Sequence, residues 1–387
     1  MASPPLRLAV LHHYFGPYHL ARARHLRGLL GDSVRFLQLA TSGQVYEWKA
    51  EPGDVTVETA VEGVLEEIPP RMLAACVEKL LARVAPTVVA IAGYADAGMR
   101  GAAVWARRHG VRSVMMSDSQ HRDRARRLWR ERLKRHWVSR HFDAAFVSGA
   151  AAAAYAESLG IPGHLIWRGY DVVDNGLFAR RAAEARADET RLRAALGLPR
   201  DFLLYVGRFV PDKNLHRLIE AFARAADHPA LDGWQLVMVG GGVLEAELRR
   251  QAAPLGRRIQ FCGFQHLDRL PDYYGLAQAL ILPSVSEPWG LVVNEAMASG
   301  LPVIVSRQCG SASDLVFPGV NGTIIDPEDP RDIARAITEM ASDRPRRGAF
   351  GEASRRIVET FSLETWSKAL IGCSLSLQAP RGEPAHG

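Results

Sequence analysis

The stretch ALILPSVSEPWGLVVNEAMASGLPVIV, residues 279–305, alternates strand, turn and helix, and it indicates the fold of the chain around it. A short apolar run at 279–282 leads into a turn that carries Gly290, and a helical pattern begins near Leu291. A second apolar run follows at 302–305. Continuous apolar strands that are separated by helices are typical of parallel sheets covered on both faces.

The same pattern extends in both directions and forms two series of alternating strands and helices. The apolar runs lie at 6–11, 34–39, 87–92, 111–116 and 144–147 in the first series, and at 202–206, 236–239, 259–261, 279–282, 302–305 and 323–325 in the second. Helical patterns such as 97–109 and 215–226 separate them. We therefore predict an α/β fold of two facing doubly wound Rossmann-like domains, with the active site in the interdomain cleft.

Charged and turn-forming segments predict where these domains begin and end. We expect an N-terminal domain at 1–175, a charged linker at 176–200 and a C-terminal domain at 201–358. A return helix is expected at 359–377, and a disordered tail rich in Pro and Gly at 378–387.

Composition restricts the class of protein. The chain has 387 residues, of which 48% are hydrophobic, enough to bury two cores. No apolar run approaches the roughly eighteen residues that a membrane span requires, and the first residues lack the pattern of a signal peptide. We therefore expect a cytoplasmic protein, and the bias toward arginine and alanine is typical of a GC-rich bacterial genome.

Cysteine spacing and net charge exclude two further classes. The four cysteines, Cys76, Cys262, Cys309 and Cys373, lie far apart in the sequence, so their spacing fits neither a metal site nor a disulfide scaffold. No bound metal is expected. The 48 basic residues exceed the 42 acidic ones by a margin that suggests anionic ligands. The excess is too small to indicate a nucleic-acid partner.

The turn after 279–282 has the features of an anion site. The amides of Leu291 and Val292, at the helix start, have no intrahelical acceptor, and Gly290 allows a phosphate to approach them. Two carboxylates, Glu287 and Glu295, lie close by in the sequence. The alternative is a capped helix N-terminus whose glutamates only face solvent.

A second motif, LYVGRFVPDKNL at 204–215, ends another predicted strand. Arg208 can bind a phosphate through two hydrogen bonds, and Lys213 adds a positive charge at a helix start, where the helix dipole disfavours it unless an anion is near. One ion pair and one solvated lysine would explain the same residues. The run Gly240-Gly241-Gly242 is a weaker signal, typical of a tight turn.

Taken together, these motifs resemble the retaining glycosyltransferases of family 4, which have the GT-B fold. The resemblance covers about 202–326 and rests on VGRFVPDKN, GFQHLDRLPDYYGLAQALILPS and EPWGLVVNEAMASGLPV. It implies a nucleotide-diphosphate sugar as donor, with no separate cofactor. The pair Glu287 and Glu295 matches the spaced glutamates of that family.

The resemblance also implies residue roles. Arg208 and Lys213 would neutralise the donor diphosphate, and Glu287 would lie near the transferred sugar. Glu295 would accept hydrogen bonds from the ribose. The remaining contacts would come from backbone groups, with phosphate bound at Gly290, Leu291 and Val292 and the nucleobase bound at Gly263 and Phe264.

The N-terminal half resembles the family less closely. Gly16 fits a glycine loop between donor and acceptor, although Pro17 interrupts the usual Gly-Gly pair, and His19 is equally compatible with a surface position. Asp118 stands where many relatives have a donor-sugar histidine, so it would bind acceptor hydroxyls or cap the next segment. Asp171, in a segment similar to the family's hinge, would line the cleft or serve packing.

The segment 122–141 is strongly cationic and contains Trp129 and Trp137. One interpretation is a peripheral contact with the inner face of a membrane, through anionic lipid. The other interpretation, which we favour from sequence, is a solvated helix with its tryptophans packed inward.

These observations predict a retaining, metal-independent glycosyltransferase with an unidentified acceptor, such as a polysaccharide, glycolipid or secondary-metabolite intermediate. Alternatives are another GT-B enzyme, such as a nucleotide-sugar epimerase or a phosphorylase, and a non-catalytic GT-B partner subunit. The paired glutamates disfavour the epimerase, and the scarcity of lysine disfavours a pyridoxal-dependent phosphorylase. The presence of Arg208 and Lys213 beside those glutamates argues against loss of catalysis.

Overall fold

The computed structural model describes residues 5–43, 53–123 and 126–378. Within these ranges the chain divides into two compact units. The second unit is formed mainly by 173–362, whereas the first contains most of the chain before Val173 and also the segment that follows Ser362.

The first unit is built on a parallel sheet. Its described strands are β1 (Leu8–His12), β2 (Val34–Ser42), β3 (Val57–Val64), β4 (Val88–Ala92), β5 (Arg112–Ser117), β6 (Ala144–Val147) and β7 (Ile166–Arg168). The helices between them are α1 (Pro17–Leu30), α2 (Pro70–Val84), α3 (Ala97–Arg108), α4 (Leu128–His141) and α5 (Ala150–Ser158).

The second unit repeats this architecture. Its strands are β8 (Phe202–Val206), β9 (Gln235–Val239), β10 (Ile259–Phe261), β11 (Ala279–Leu282), β12 (Val303–Ser306) and β13 (Gly322–Ile325). Its helices are α6 (Asn175–Ala187), α7 (Glu189–Leu196), α8 (Leu215–Ala225), α9 (Glu245–Ala252), α10 (Leu270–Leu276), α11 (Leu291–Ala298), α12 (Ala312–Leu315), α13 (Pro330–Ser342) and α14 (Arg344–Val358). The last described helix, α15 (Leu363–Ser376), belongs to the first unit.

The order of the strands indicates at which point of each sheet a ligand would bind. The first sheet has the order β3-β2-β1-β4-β5-β6-β7, and the second has the order β10-β9-β8-β11-β12-β13. In both, the direction of strand addition reverses once, between β1 and β4 and between β8 and β11. In doubly wound sheets, ligands bind beyond the carboxyl ends of the strands at such a reversal.

Burial explains why these segments adopt these structures. Every residue of β1, β4, β8 and β11 is buried, as expected for central parallel strands covered by helices on both faces. Helix α8 buries Leu215, Leu218, Ile219 and Phe222, a spacing that places apolar side chains on one helical face.

The prediction of two doubly wound α/β domains is confirmed, and each predicted apolar run lies in or against a strand. Two strands, β3 and β7, were not predicted. Both lie at a sheet edge and are only partly buried, so neither carries a continuous apolar run.

The structure adds detail at the predicted boundaries. The expected linker, 176–200, is largely occupied by α6 and α7, and α7 ends at Gly197 in the left-handed conformation. Helix α15 lies within the expected return helix, while most of the predicted tail, from 379 onward, lies outside the described residues. No helix of the described chain has the length and apolarity needed to cross a membrane.

Candidate functional site

The reversal point of the second sheet brings the two predicted motifs to one edge. Strands β8 and β11 pair in parallel, with Leu204 opposite Leu280, so their carboxyl ends point the same way. Arg208 follows β8 directly and is exposed, and Glu287 lies in the turn after β11. The amide of Val285 donates to the carbonyl of Asp212, 2.9 Å away, and this bond holds the two loops together.

An ion pair joins the two motifs. The ammonium of Lys213 contacts the carboxylate of Glu287, and the two side chains are only 14% and 11% exposed. The hydroxyl of Ser284 donates to the same carboxylate over 3.3 Å. Lys213 lies in a 3-10 turn, Pro211–Lys213, that precedes α8. Two residues that were each predicted to contact a donor thus lie together at this edge, as a pair of opposite charges with little exposure to water.

Asn214 fixes the backbone beside Lys213. It adopts the left-handed conformation, with φ of 59°, and its buried side-chain amide donates to the carbonyls of Pro283 and Pro327, at 3.1 and 2.6 Å. Because Pro283 directly follows β11, this bond ties the start of α8 to the end of that strand.

Gly290 occupies the position before α11, with φ of 91°. A β-carbon at this residue would lie 2.9 Å from Sγ of Cys309 and 3.3 Å from Cγ of Glu287. The backbone conformation and the crowding therefore both require glycine here. Leu291 and Val292 begin α11, so their amides have no acceptor one turn earlier, and both residues are half-buried.

A neighbouring segment supports the turn that carries Glu287. The amide of Gly310 donates to the carbonyl of Glu287 over 3.0 Å, and the amide of Ser311 donates to the carbonyl of Trp289 over 3.1 Å. The thiol of Cys309 also donates to the Trp289 carbonyl. Burial raises the pKa of Cys309 to about 12, and the nearby charge of Glu287 adds to the shift, so this thiol stays protonated at neutral pH.

Glu295 lies on α11 but points into the protein. It is 1% exposed, and its Oε2 accepts a hydrogen bond of 2.6 Å from the hydroxyl of the fully buried Tyr274. Tyr274 is held in turn by an edge-to-face contact with Phe178, at 5.9 Å between ring centres. The two predicted glutamates thus share a region of the second unit but have different partners.

The remaining predicted residues of the second unit follow β9 and β10. Gly263 has a φ of 68° and accepts a hydrogen bond from the amide of Gly240, and Phe264 is 57% exposed. A β-carbon on Gly240 would lie 1.9 Å from the carbonyl oxygen of Gly207, and one on Gly242 would lie 2.6 Å from that of Phe209. Gly240 and Gly242 are thus required because they pack against the backbone that follows β8.

In the first unit, Gly16 caps α1, and its amide donates to Nδ1 of His19 over 3.1 Å. The ring of His19 also packs against that of His12, with ring centres 4.3 Å apart and the ring planes tilted by 36°. Burial, followed by the positive charge of Arg22, lowers the pKa of His19 to about 3, and burial lowers the pKa of His12 well below its usual range. Both rings are therefore neutral at neutral pH, and His19 is not the surface residue that its sequence position allowed.

Asp118 follows β5 and is half-buried. Its charge acts on Asp171, which is 8% exposed and lies 3.7 Å from the guanidinium of Arg22. Burial and then the charge of Asp118 raise the pKa of Asp171 to about 7, against the opposing effect of Arg22. Arg22 is fixed by two hydrogen bonds to the carbonyl of Val172, at 2.7 and 3.1 Å.

Sequence reasoning missed several residues of these clusters. Ser284, Tyr274 and Cys309 contact or face the predicted glutamates, yet none occupies a position that charge or spacing distinguishes. Asp96 could have been found, because it is a carboxylate just beyond the central strand β4. It accepts from the amide of Met99 and lies 2.7 Å from Nε2 of His13 at the reversal point of the first sheet.

A metal site was not predicted. Within the described ranges, no three side chains of His, Cys, Asp or Glu are grouped so that they could hold an ion.

Comparison with known proteins gives sequence relatives for the second half of the chain. A D-inositol 3-phosphate glycosyltransferase of Geodermatophilus obscurus is 37% identical over 195 residues, which are 48% of this chain and 42% of the relative. The lipopolysaccharide core biosynthesis glycosyltransferase LpsE of Rhizobium meliloti is 33% identical over 184 residues, 46% and 52% of the two chains. The chain thus spans about half the length of the curated relatives it matches.

Solved structures resemble the chain over almost its whole length. Anabaena Alr3699/HepE, in complex with UDP and glucose, has a TM-score of 0.75 at 19% identity, covering 96% of this chain and 100% of that one. Sucrose-phosphate synthase from Thermosynechococcus elongatus has a TM-score of 0.74 at 21% identity, covering 97% and 100%. These similarities confirm the GT-B fold class.

A family model describes the part of the chain that carries the motifs. The model for glycosyl transferases group 1 matches residues 188–357, which include every predicted donor-site residue of the second unit. Residues 188–357 therefore match the glycosyl transferases group 1 family, in agreement with the resemblance of the motifs.

Proposed function

We propose that the protein is a retaining, metal-independent glycosyltransferase that moves a sugar from a nucleotide-diphosphate donor to an unidentified hydroxyl acceptor. One observation carries the proposal: the pair Lys213 and Glu287 lies at the reversal point of the second sheet, beside the first amides of α11. Positive charge, a carboxylate and a helix N-terminus are thus combined where a doubly wound sheet binds its ligand.

The reaction breaks the bond between the anomeric carbon and the diphosphate oxygen, and forms a bond from that carbon to the acceptor oxygen. The bonding electrons leave with the phosphate, whose new charge Lys213 and Arg208 stabilise. Glu287 stabilises the positive charge that develops at the anomeric carbon. The acceptor proton passes to the departing phosphate oxygen on the same face of the sugar, and the anomeric configuration is retained.

The nucleotide occupies the other predicted positions of the second unit. The backbone at Gly263 and Phe264 binds the base, the amides of Leu291 and Val292 bind phosphate, and a carboxylate oxygen of Glu295 accepts from the ribose. A uridine nucleotide is favoured because the similar structure of HepE was determined with UDP and with UDP-glucose.

The acceptor side belongs to the first unit. Within that unit, Gly16 and Asp118 are the proposed acceptor-side positions, and Asp118 would accept hydrogen bonds from acceptor hydroxyls. We also propose a cytoplasmic, bacterial enzyme that makes peripheral contact with a membrane through 122–141, where an acceptor carried on a lipid would be encountered.

Calorimetric titration with UDP, GDP and dTDP tests the nucleotide site, with Glu295→Ala as the informative variant. Loss of its ribose contacts should weaken UDP binding at least about tenfold. The exposed Glu359→Ala variant should bind as the unmodified protein does. Unchanged UDP affinity in folded Glu295→Ala would show that the ribose role is wrong.

Product analysis tests the reaction itself. Incubation with UDP-, GDP- and dTDP-sugars, followed by mass spectrometry, should give one glycosylated product, and its proton NMR spectrum should show the anomeric configuration of the donor. Turnover should persist in excess chelator. An inverted anomeric signal, or activity that returns only with a divalent metal, would contradict the proposed mechanism.

A further inference from the structure

The outer face of α4 exposes large apolar side chains. Leu128 is 83% exposed, Trp129 is 55% exposed and Leu133 is 62% exposed. At about 100° per residue, the three lie within an arc of about 140° on one side of the helix. The expectation of inward-packed tryptophans is therefore wrong for Trp129.

Cationic side chains share this outer face. Arg132 and Arg140 project within the same arc and are exposed, as is His136. Arg130 and Arg135, also exposed, flank the arc on its two sides. The guanidinium carbon of Arg130 lies 5.1 Å from the centre of a Trp129 ring, so charge and aromatic surface are in contact.

The acidic residue of α4 is turned away from that face. Glu131 accepts hydrogen bonds from Lys134, at 2.8 Å, and from the hydroxyl of Tyr155, at 2.7 Å, and the guanidinium of Arg126 lies 3.5 Å from it. Although burial acts to raise the pKa of Glu131, these partners hold it below its usual range. The negative charge of α4 is thus neutralised on its inner side. The charged side chains of its outer face are arginines, which lie among the exposed apolar side chains.

Inner contacts of α4 fix this orientation. Val138 is fully buried, and Trp137 packs against Tyr94, at 5.8 Å between ring centres, and stacks on His141 at 4.5 Å. The helix therefore cannot hide Leu128, Trp129 and Leu133 by rotating about its axis without losing these contacts.

We infer that the outer face of α4 docks on the surface of a lipid bilayer that contains anionic lipid. An amphipathic helix with Trp and Leu at its centre and arginines around them matches the boundary between acyl chains and phosphate groups. Arginine binds lipid phosphate and keeps its methylene stem against the apolar surface. The inference specifies the membrane contact proposed above, and it is independent of the sugar-transfer reaction.

Co-sedimentation of the full chain with lipid vesicles tests the inference. The protein should bind vesicles of phosphatidylcholine mixed with phosphatidylglycerol, and it should bind phosphatidylcholine alone at least about tenfold more weakly. Each of Arg132→Gln and Arg140→Gln should reduce the partition coefficient about fivefold, as expected for one cation near an anionic surface. Raising the salt concentration should weaken binding in the same direction.

Variants elsewhere on the surface test whether vesicle binding depends on the outer face of α4 or on exposed leucines and arginines in general. Trp129→Ala and Leu133→Ala should each reduce binding several-fold, whereas Leu29→Ala, a leucine that is 54% exposed on α1, should not. Arg356→Gln, an exposed arginine of α14, is the control for the charge variants. Circular dichroism and UDP calorimetry of each variant establish that the fold and the nucleotide site are retained.

Three results would overturn the inference. The first is equal binding of the unmodified protein to charged and uncharged vesicles, and the second is unchanged vesicle binding by the double variant Trp129→Ala/Leu133→Ala. The third is absence of vesicle binding together with arginine-dependent binding to a duplex DNA probe, which would assign the cations to a nucleic-acid partner. A failure of the transfer reaction leaves these vesicle results unaffected.

Discussion

Each unit has a cluster of titratable side chains near the ends of its central strands, and burial affects the charges of the two clusters differently. In the second unit, Lys213 and Glu287 form an ion pair whose side chains are 14% and 11% exposed. In the first unit, burial lowers the pKa of His12 and His19, so both rings are neutral, and it raises the pKa of Asp171 to about 7. The cluster of the second unit is thus built on an ion pair, whereas in that of the first unit burial shifts two histidines and Asp171 toward their neutral forms beside the charged groups Arg22 and Asp118.

This difference predicts which kind of ligand group each cluster binds and which cluster is sensitive to pH. A lysine held at this strand end can donate hydrogen bonds to a ligand phosphate, so the second cluster suits a diphosphate. Neutral imidazoles and a carboxyl group with a raised pKa suit an uncharged, hydroxyl-bearing group, and they make the first cluster sensitive to pH.

The largest effect is expected at Lys213. Lys213→Ala should lower kcat/KM by a factor on the order of a hundred or more, about 3 kcal/mol of lost transition-state stabilisation, because the departing diphosphate loses its cation. Steady-state kinetics with the preferred sugar nucleotide measure this loss. Circular dichroism should show a folded protein.

Lys368→Ala is the matched control, since Lys368 also pairs with a glutamate, Glu364, but with side chains 70% and 62% exposed. Exposed pairs of this kind contribute little, so its turnover should equal that of the unmodified protein. Near-normal turnover in Lys213→Ala would remove the distinction between the two ion pairs.

Gly290→Ala should produce the next largest effect. The substitution combines a φ of 91° with a β-carbon 2.9 Å from Sγ of Cys309, so the free energy of unfolding should fall by about 2 to 3 kcal/mol. Gly319→Ala, with a φ of 79° but no heavy atom within 4 Å of its new β-carbon, should cost only about 1 kcal/mol. Urea unfolding distinguishes crowding from backbone strain, and equal losses would contradict the packing described around Gly290.

The sequence predicted the second unit more completely than the first. Its six strands and the start of α11 follow from apolar runs and from Gly290, and the proximity of Lys213 and Glu287 follows from strand ends that share one edge. What the pattern could not predict was the direction of a side chain. Glu295 lies in α11, whose first two residues are half-buried, so the sequence does not show whether its side chain faces solvent or the protein interior. The structure shows that its carboxylate accepts a hydrogen bond from Tyr274.

The first unit was harder to predict for two physical reasons. Its edge strand β3 is only partly buried, and a partly polar segment carries no continuous apolar run. The burial of His12 and Asp171 depends on contacts among residues far apart in the chain, and neither residue type nor spacing indicates it.

Tyr274→Phe tests the hydrogen bond that sequence could not predict. Its hydroxyl donates to a carboxylate oxygen over 2.6 Å in a buried environment, so the substitution should lower the free energy of unfolding by about 1.5 to 2 kcal/mol. Tyr205→Phe is the control, because Tyr205 is equally buried but donates to the backbone carbonyl of Arg208, at 3.1 Å. That bond to a backbone carbonyl should contribute about 1 kcal/mol, and equal losses in urea unfolding of the two variants would contradict the stronger hydrogen bond assigned to Tyr274.

The last effect, and the one specific to the first unit, is a pH dependence at Asp171. A carboxyl group whose pKa is higher in the folded state than in the unfolded state binds more protons when folded, so its contribution to stability is complete below pH 3.8 and is lost as the pH rises to about 7. The loss should approach about 1.4 kcal/mol per pH unit within that interval.

Asp171→Asn cannot ionise and should lack this component, so the difference in unfolding free energy between the variant and the unmodified protein should grow in favour of the variant from pH 4 to about pH 7. Asp118→Asn should narrow the interval from its upper end, because it removes the negative charge that helps to raise the pKa of Asp171. Urea unfolding across this pH range measures both variants, and a constant difference between Asp171→Asn and the unmodified protein would show that Asp171 ionises normally and that the two clusters do not differ in their treatment of charge.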